Sequence, residues 1–312
     1  MTTAITLPEG APEEVITHAL VRDVDLAPFG GKGSLALITL DNGLDHTRPN
    51  TFGPQSVAAL DAAITDAASR KPAAIAITGK PFIFAAGADL SALSYLAKRE
   101  QALAIGKLGH DVFRRLDEIG IPTFAFINGL ALGGGLEVGL HCNYRTLATT
   151  AFTALPEVFL GLVPGWGGAT ILPKLIGPEN AVQVIILNAL NNNTMMKAKD
   201  ALSLGVVDAV YEPSDFIEHS VKFAADVLSS KNKIERKDFP LIALCGLFGV
   251  AINQLFFFHG LNLSSAFNSG IIMALNPIMV VILSFFLLKE RLTAFKITGI
   301  TLGATGAILL TL

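Results

Sequence analysis

NGLALGGGLEVGL, residues 128–140, is the stretch on which the fold reading turns. A short apolar run, Thr123–Ile127, follows Pro122 and reads as a buried strand that ends at the turn Asn128-Gly129. The glycine run Gly133–Gly135 then opens a helix through Leu140. Strand, glycine turn and helix start together expose unpaired backbone N–H groups at a positive dipole end, which suits an anion that develops during a reaction.

Ser34–Leu40 (SLALITL) and Ala73–Thr78 (AAIAIT) read as two further buried strands, with a helix over Val57–Ser69 between them. The pattern predicts a layered α/β domain. Asn191–Thr194 has turn composition with Thr194 as a cap, Met195–Leu204 is expected to be a helix closed by Gly205, and a last helix is expected over about Ser214–Leu228. A second glycine turn, FIFAAGADL at 82–90, follows a strand and can offer another free N–H. Two such donors from separate loops make an oxyanion hole.

The chain has 312 residues, 51% hydrophobic and only 16% charged, with a mean hydropathy of +0.54. A soluble domain seldom combines these values. The charge is unevenly spread: 239–312 holds only Lys289, Glu290, Arg291 and Lys296, while 1–238 is ordinary and mildly acidic. That balance lacks the basic excess of nucleic-acid binding proteins, so no nucleic-acid partner is expected. Cys142 and Cys245 have no metal-ligand spacing, so neither a disulfide framework nor a metal site is expected, and a reducing compartment fits. The opening MTTAITLPEG does not read as a secretory or transit signal. No GxGxxG occurs, so a nicotinamide cofactor is not indicated.

FAAGADL, NGLALGGGLE and ALPEVFLGLVPGWGG resemble, in order and spacing, the three signature stretches of the crotonase (enoyl-CoA hydratase/isomerase) family, over about residues 33–228. The resemblance implies a spiral core of repeated ββα units, assembly as a homo-trimer or hexamer, an acyl-CoA substrate and no cofactor beyond the CoA of that substrate. It also implies that Ala88 and Gly134 supply the two N–H donors to a thioester oxygen. Glu137 and Glu157 then stand at the positions of the two catalytic acids, which members that hydrate both retain. The weaker candidates for substrate binding are Ala86, Gly87 and Gly133 in the glycine turns, Asp89, Trp166, and Arg48 and Asn50 in DHTRPNTFG, 45–53. Arg48 reads either as a phosphate contact or as an exposed loop residue, Trp166 as channel lining or core, and Asp89 as a turn-stabilising residue. His141 and Cys142 read as packing residues.

GLDHTRPNTF, PFIFAAGADL and GLEVGLHCNYR are similar to the hydratase portions of multifunctional β-oxidation enzymes. The expected activity is hydration of a trans-2-enoyl-CoA; the alternatives are Δ3,Δ2-enoyl-CoA isomerisation or another acyl-CoA reaction of the family. A third reading, from another class, is a membrane protein of transporter descent carrying an inactive crotonase part.

That third reading comes from the tail. After a charged linker, KNKIERKD at 231–238, Pro240–Gly260 and Ala266–Leu288 are apolar runs long enough to span a bilayer, which takes roughly 20 helical residues, and Ile297–Leu312 is marginal. GVAINQLFFFHGL, ALNPIMVVILSFFLLKERLT and KITGITLGATGAILL resemble part of an EamA-type drug/metabolite transporter. The expected architecture is thus a crotonase-like domain over 1–230, the linker, and an all-α segment of two to three transmembrane helices over 239–312, a chimera of two families. Basic residues flank the spans at 231–237 and 289–296 whereas LNLSS has none, so the rule that positive charge stays inside puts the catalytic part in the cytoplasm and anchors the chain to the membrane.

Overall fold

In the computed structural model the described residues are 10–91, 95 and 99–229, with 259 and 299 beyond them. Their elements, in chain order, are β1 (His18–Asp25), β2 (Ser34–Asp41), α1 (Pro54–Ser69), β3 (Ala74–Gly79), β4 (Ile83–Ala85), α2 (Arg99–Glu118), β5 (Thr123–Ile127), β6 (Leu130–Leu132), α3 (Gly134–Leu140), β7 (Tyr144–Ala148) and β8 (Phe152–Ala154). There follow α4 (Gly168–Ile176), α5 (Pro178–Val182), a π-helical turn at Gln183–Leu187, α6 (Asn188–Leu190), β9 (Met196–Lys197), α7 (Ala198–Leu204), β10 (Ala209–Tyr211) and α8 (Phe216–Ser229).

Two sheets result, in the orders β1-β2-β3-β5-β7-β10 and β4-β6-β8-β9. In the larger sheet β1 runs antiparallel to β2 and the other pairs are parallel. Each unit β3-β4-α2, β5-β6-α3 and β7-β8 sends one strand to each sheet, so the chain advances one position in both sheets per unit. That advance is a spiral of ββα repeats. The strands β3 and β5 are buried at every residue, which explains their unbroken apolar sequences: a parallel sheet covered on both faces has no solvent side to alternate with.

The turns between paired strands stack as tightly as backbones allow. Asn128 donates to the carbonyls of Gly79 and Lys80 at 3.1 and 2.7 Å and accepts from Gly79 N–H, tying one turn to the previous one. A Cβ on Gly129 would fall 1.9 Å from the Phe82 carbonyl oxygen. At the same level the buried Lys80 ammonium donates to the carbonyls of Leu44, Asp45 and Arg48 and to Asn42, which pins the loop 42–48. The N-terminus of α1 has no side-chain cap of its own because its N-cap is Gly53. Glu14 takes that place from 41 residues before Gln55, accepting from Gln55 N–H (2.9 Å) and Ser56 N–H (2.8 Å).

One expectation needs correcting. Met195–Leu204 is not one helix: Met196 and Lys197 pair antiparallel with β8, and α7 begins only at Ala198. Thr194 does not cap it, because its hydroxyl donates back to the Asn191 carbonyl at 2.6 Å. The turn itself is present, with Asn192 and Asn193 at φ 51° and 52°.

The chain divides into two compact units, 1–231 and 232–312. The linker 231–238, the expected spans 240–260, 266–288 and 297–312, LNLSS and the orientation of the tail lie outside the described residues, 259 and 299 excepted. Among the described residues no helix is long and apolar enough to cross a membrane.

Candidate active site

The end of β4 and the start of α3 meet edge to edge. Phe52 forms an isolated parallel bridge with Ala88: its N–H donates to Gly87 C=O at 2.8 Å and its C=O accepts from Asp89 N–H at 3.0 Å. Because N–H directions alternate along an extended chain, a bridge that uses Asp89 N–H leaves Ala88 N–H facing the other way. Gly133 sits at φ 51°, ψ −126°, a conformation open only to glycine, and Gly134 then begins α3 with an N–H that has no partner within the helix. A Cβ on Gly87 would lie 3.2 Å from Gly134 N. The two loops therefore bring the Ala88 and Gly134 N–H groups to one wall of a cavity of about 350 Å³.

Glu137 lies on the first turn of α3 and Glu157 opens a 3-10 turn, Glu157–Leu160, after Pro156; both line the same cavity. Glu137 is 2% exposed, and its Oε1 accepts from Trp166 N–H and Gly168 N–H, each at 2.8 Å. Burial pushes its carboxyl up to about 7, against the pull of those two donors. Glu157 is also pushed up to about 7, first by burial and then by the Glu137 charge, and its Oε2 is buried with no hydrogen-bond partner.

These shifts have a thermodynamic sign. A carboxyl whose folded pKa exceeds its unfolded one binds its proton more tightly in the fold, so stability falls as pH rises from about 4.5 to about 7 and the loss is complete above that. Glu157→Gln is therefore expected to raise stability above pH 7 by on the order of 1–3 kcal/mol and to leave it unchanged near pH 4. Thermal melts of both proteins at pH 4 and pH 8 check this. A variant that melts lower than the parent at pH 8 would contradict it.

The remaining wall is apolar: Phe52 and Pro54, Ile105 of α2, and Leu160, Leu162 and Val163 beyond Glu157. Trp166 is both core and lining. It is 6% exposed, packs edge-on against Phe52 and Phe113, and occupies a slot where a Cβ on either Gly109 or Gly134 would strike its ring. Ala86, Gly87, Asp89 and Gly133 also line the cavity, with Asp89 Oδ1 accepting from Ser91 N–H at 2.9 Å. Two candidates are not brought there. Arg48 is exposed on its loop, its carbonyl in the Lys80 cradle. Asn50 is fully buried and spends its amide on Leu40 and Phe84 carbonyls and Asn42 N–H, joining β2 to β4, so its role is structural. Cys142 is enclosed, and burial pushes its thiol up to about 12. The Trp166 and Gly168 N–H groups on Glu137, and the His141 contact to that loop, were not anticipated; the glycines of VPGWGG were their only trace.

Residues 30–237 match the family model described as enoyl-CoA hydratase/isomerase. The chain belongs to the enoyl-CoA hydratase/isomerase family. Residues 221–312 match the EamA-like transporter family, so the chain joins a crotonase-type domain to an EamA-like C-terminal region. Among curated relatives of this hydratase/isomerase family chain, the fatty acid oxidation complex subunit alpha of Shewanella loihica is 36% identical over 204 residues, 61% of the chain and 28% of the relative. That of Colwellia psychrerythraea is 42% identical over 159 residues, 50% of the chain and 21% of the relative. The chain thus spans about a quarter of the length of these relatives. Among solved structures, Pseudomonas aeruginosa DspI is 30% identical with a TM-score of 0.58, covering 78% of the chain and 93% of DspI. Enoyl-CoA hydratase from Bacillus anthracis is 25% identical with a TM-score of 0.58, covering 69% of the chain and 77% of that protein.

Proposed function

We propose that the chain is an enoyl-CoA hydratase that adds water to a trans-2-enoyl-CoA in fatty-acid β-oxidation. The observation that carries this reading is the pair Glu137 and Glu157, both pushed up to about 7 and facing one cavity together with the Ala88 and Gly134 N–H groups. Two carboxyls that repel one another and titrate near neutrality share one proton around pH 7, which is the state that water addition needs. The roles follow from their surroundings. Two N–H donors on Oε1 favour the ionised form of Glu137, while the unpartnered Oε2 of Glu157 favours the protonated form.

Glu137 then takes a proton from water as its oxygen bonds to the β-carbon. The alkene electrons move to the thioester oxygen, held by Ala88 and Gly134 N–H, and Glu157 delivers its proton to the α-carbon. The product is a 3-hydroxyacyl-CoA, and the pair ends with its proton exchanged between the two carboxyls. CoA belongs to the substrate and no further cofactor enters. As the setting, we propose a homo-trimer or hexamer with the catalytic unit in the cytoplasm and membrane attachment through 240–312, in keeping with the EamA-like match.

Incubation of the full chain with short and medium trans-2-enoyl-CoA in 18O-water tests the reading. Loss of the conjugated thioester absorbance with 18O in the 3-hydroxyl is the expected result. Conversion of a 3-enoyl-CoA to its 2-enoyl isomer without 18O uptake would replace hydration by isomerisation, and no turnover of either would return the chain to the inactive-cargo reading.

A further inference from the structure

The hydrogen bonds on Glu137 come from a loop anchored at one end by α4, where Gly167 C=O accepts from Thr170 N–H and Ile171 N–H at 3.0 and 2.8 Å, while the Trp166 carbonyl is met by a side chain. Trp166 N–H and Gly168 N–H converge on one oxygen, Oε1, at 2.8 Å each. For two N–H groups separated by one residue to point at the same atom, the peptide group between them must turn its carbonyl to the opposite side. Gly167 at φ 129° permits that turn but does not enforce it. What meets the turned carbonyl is His141: its Nε2 lies 2.8 Å from Trp166 O. A carbonyl only accepts, so Nε2 carries the proton.

His141 stands four residues after Glu137, at the C-cap of α3 and on the same face, and its own N–H donates to the Glu137 carbonyl at 3.2 Å. The ring is 5% exposed and is seated against the loop so closely that a Cβ on Gly167 would lie 2.4 Å from Nε2. Two side chains one helical turn apart thus grip three consecutive peptide groups with opposite polarity, Glu137 by their N–H groups and His141 by the carbonyl between.

We propose that His141 is the positioning residue for Glu137: by donating Nε2–H to Trp166 O it keeps the Trp166 and Gly168 N–H groups aimed at Oε1. Burial holds the imidazole below its usual range, so it is neutral at pH 7 with one donor to give. The charged and titratable groups around it are His110, Arg114 and Asp117 of α2 and Glu137 on its own helix; His110 meets it ring edge to ring face at 6.0 Å and Phe113 closes the other side at 6.3 Å. The activity arm of the test below rests on the hydratase reading; the titration arm does not.

The variants are His141→Leu, which keeps apolar volume without a donor, and His141→Gln, whose amide nitrogen reaches about where Nε2 does. The Glu137 carboxyl is titrated by infrared difference spectroscopy in the ligand-free full chain, with Glu137→Gln identifying its band. Losing the two N–H donors removes what favours the ionised form, so in H141L the Glu137 proton affinity is expected to rise roughly tenfold. At pH 7 kcat should fall by about the same factor, KM should stay within about twofold, and the acidic limb of the pH profile should move up. H141Q should restore all three.

An H141L titration unchanged from the parent, or H141Q behaving as H141L, would overturn the inference. If H141L does not fold, nitrogen NMR of the unmodified protein decides: His141 as the Nε2–H tautomer supports the proposal and as the Nδ1–H tautomer refutes it. A titration that moves as expected in a chain that hydrates nothing would sink the hydratase reading and leave this one standing.

Discussion

Replacing either Glu137 or Glu157 by glutamine is expected to lower kcat for trans-2-enoyl-CoA hydration by about 100- to 10,000-fold, the range for losing a positioned acid or base. The two losses should differ in kind. Glu137→Gln keeps an oxygen for the Trp166 and Gly168 N–H groups, so the loop holds while the water loses its base. Glu157→Gln removes the proton meant for the α-carbon and leaves the two N–H donors and the burial of Glu137 in place. In the parent the pair titrates near 7, so kcat/KM against pH should be bell-shaped around neutrality, the two limbs belonging to the pair as a unit. Each variant should lose that bell. Steady-state hydration at several pH values, with substrate binding measured separately by displacement of a fluorescent acyl-CoA, makes the check. Parental turnover in either variant would remove that carboxyl from the mechanism.

The same substitution at Glu157 is expected to stabilise the fold above pH 7, so activity and stability pull apart at one residue. That opposition is what a buried acid with an unpaired oxygen entails: the cavity tolerates an unfavourable charge at high pH because reaction requires a carboxyl that still carries its proton near neutrality. A carboxylate serving only to hold the structure would lose stability on the same change.

The strands β2, β3 and β5 were legible because both faces are covered, which turns burial into unbroken apolar sequence. β1 was not: HALVRDVD alternates between exposed and half-buried positions at a sheet edge and has no apolar run to announce it. The strands of the smaller sheet are two or three residues each, too short for any period, and exist because the spiral brings their neighbours alongside. Met196 and Lys197 went to β9 for that reason, tertiary pairing overriding a helical pattern. α2 is interrupted in sequence by Gly106 and Gly109, and the second of these leaves room for the Trp166 ring, a reason visible only in three dimensions.

At the site, the family resemblance pointed to Ala88, Gly134, Glu137 and Glu157, and the structure gathers all four at one cavity. Asn50 looked like a ligand because a buried polar residue in a loop does; its partners are backbone groups that no sequence pattern reveals. The electrostatics were hidden for a related reason. The rise of both carboxyls comes from burial, and that of Glu157 also from the Glu137 charge; neither cause is local in the chain.

Gly135→Ala is expected to destabilise the catalytic unit by about 3 kcal/mol or more, because the added Cβ would lie 2.0 Å from the Ala85 carbonyl oxygen and 2.6 Å from its carbon. Both atoms are backbone and β4 is held on one side by β6, so the relief must come from α3 moving off the strand. That displacement would carry Gly134 N–H away from Ala88 N–H, so folded Gly135→Ala protein should lose turnover as well. Gly139→Ala, four residues along the same helix, is the control. Its Cβ would meet Ile127 and Ala125 side chains at 3.4 and 3.5 Å, ordinary contact, and it exchanges a helix-interior glycine for the better helix former, a gain of up to about 1 kcal/mol. Trp166 is the one tryptophan in the chain and sits in the cavity wall, so its fluorescence during urea unfolding of the full chain reports this unit alone. A midpoint for Gly135→Ala equal to that of Gly139→Ala would mean that α3 and β4 are not pressed together, and with it would go the reason for two N–H groups from separate loops sharing one oxygen.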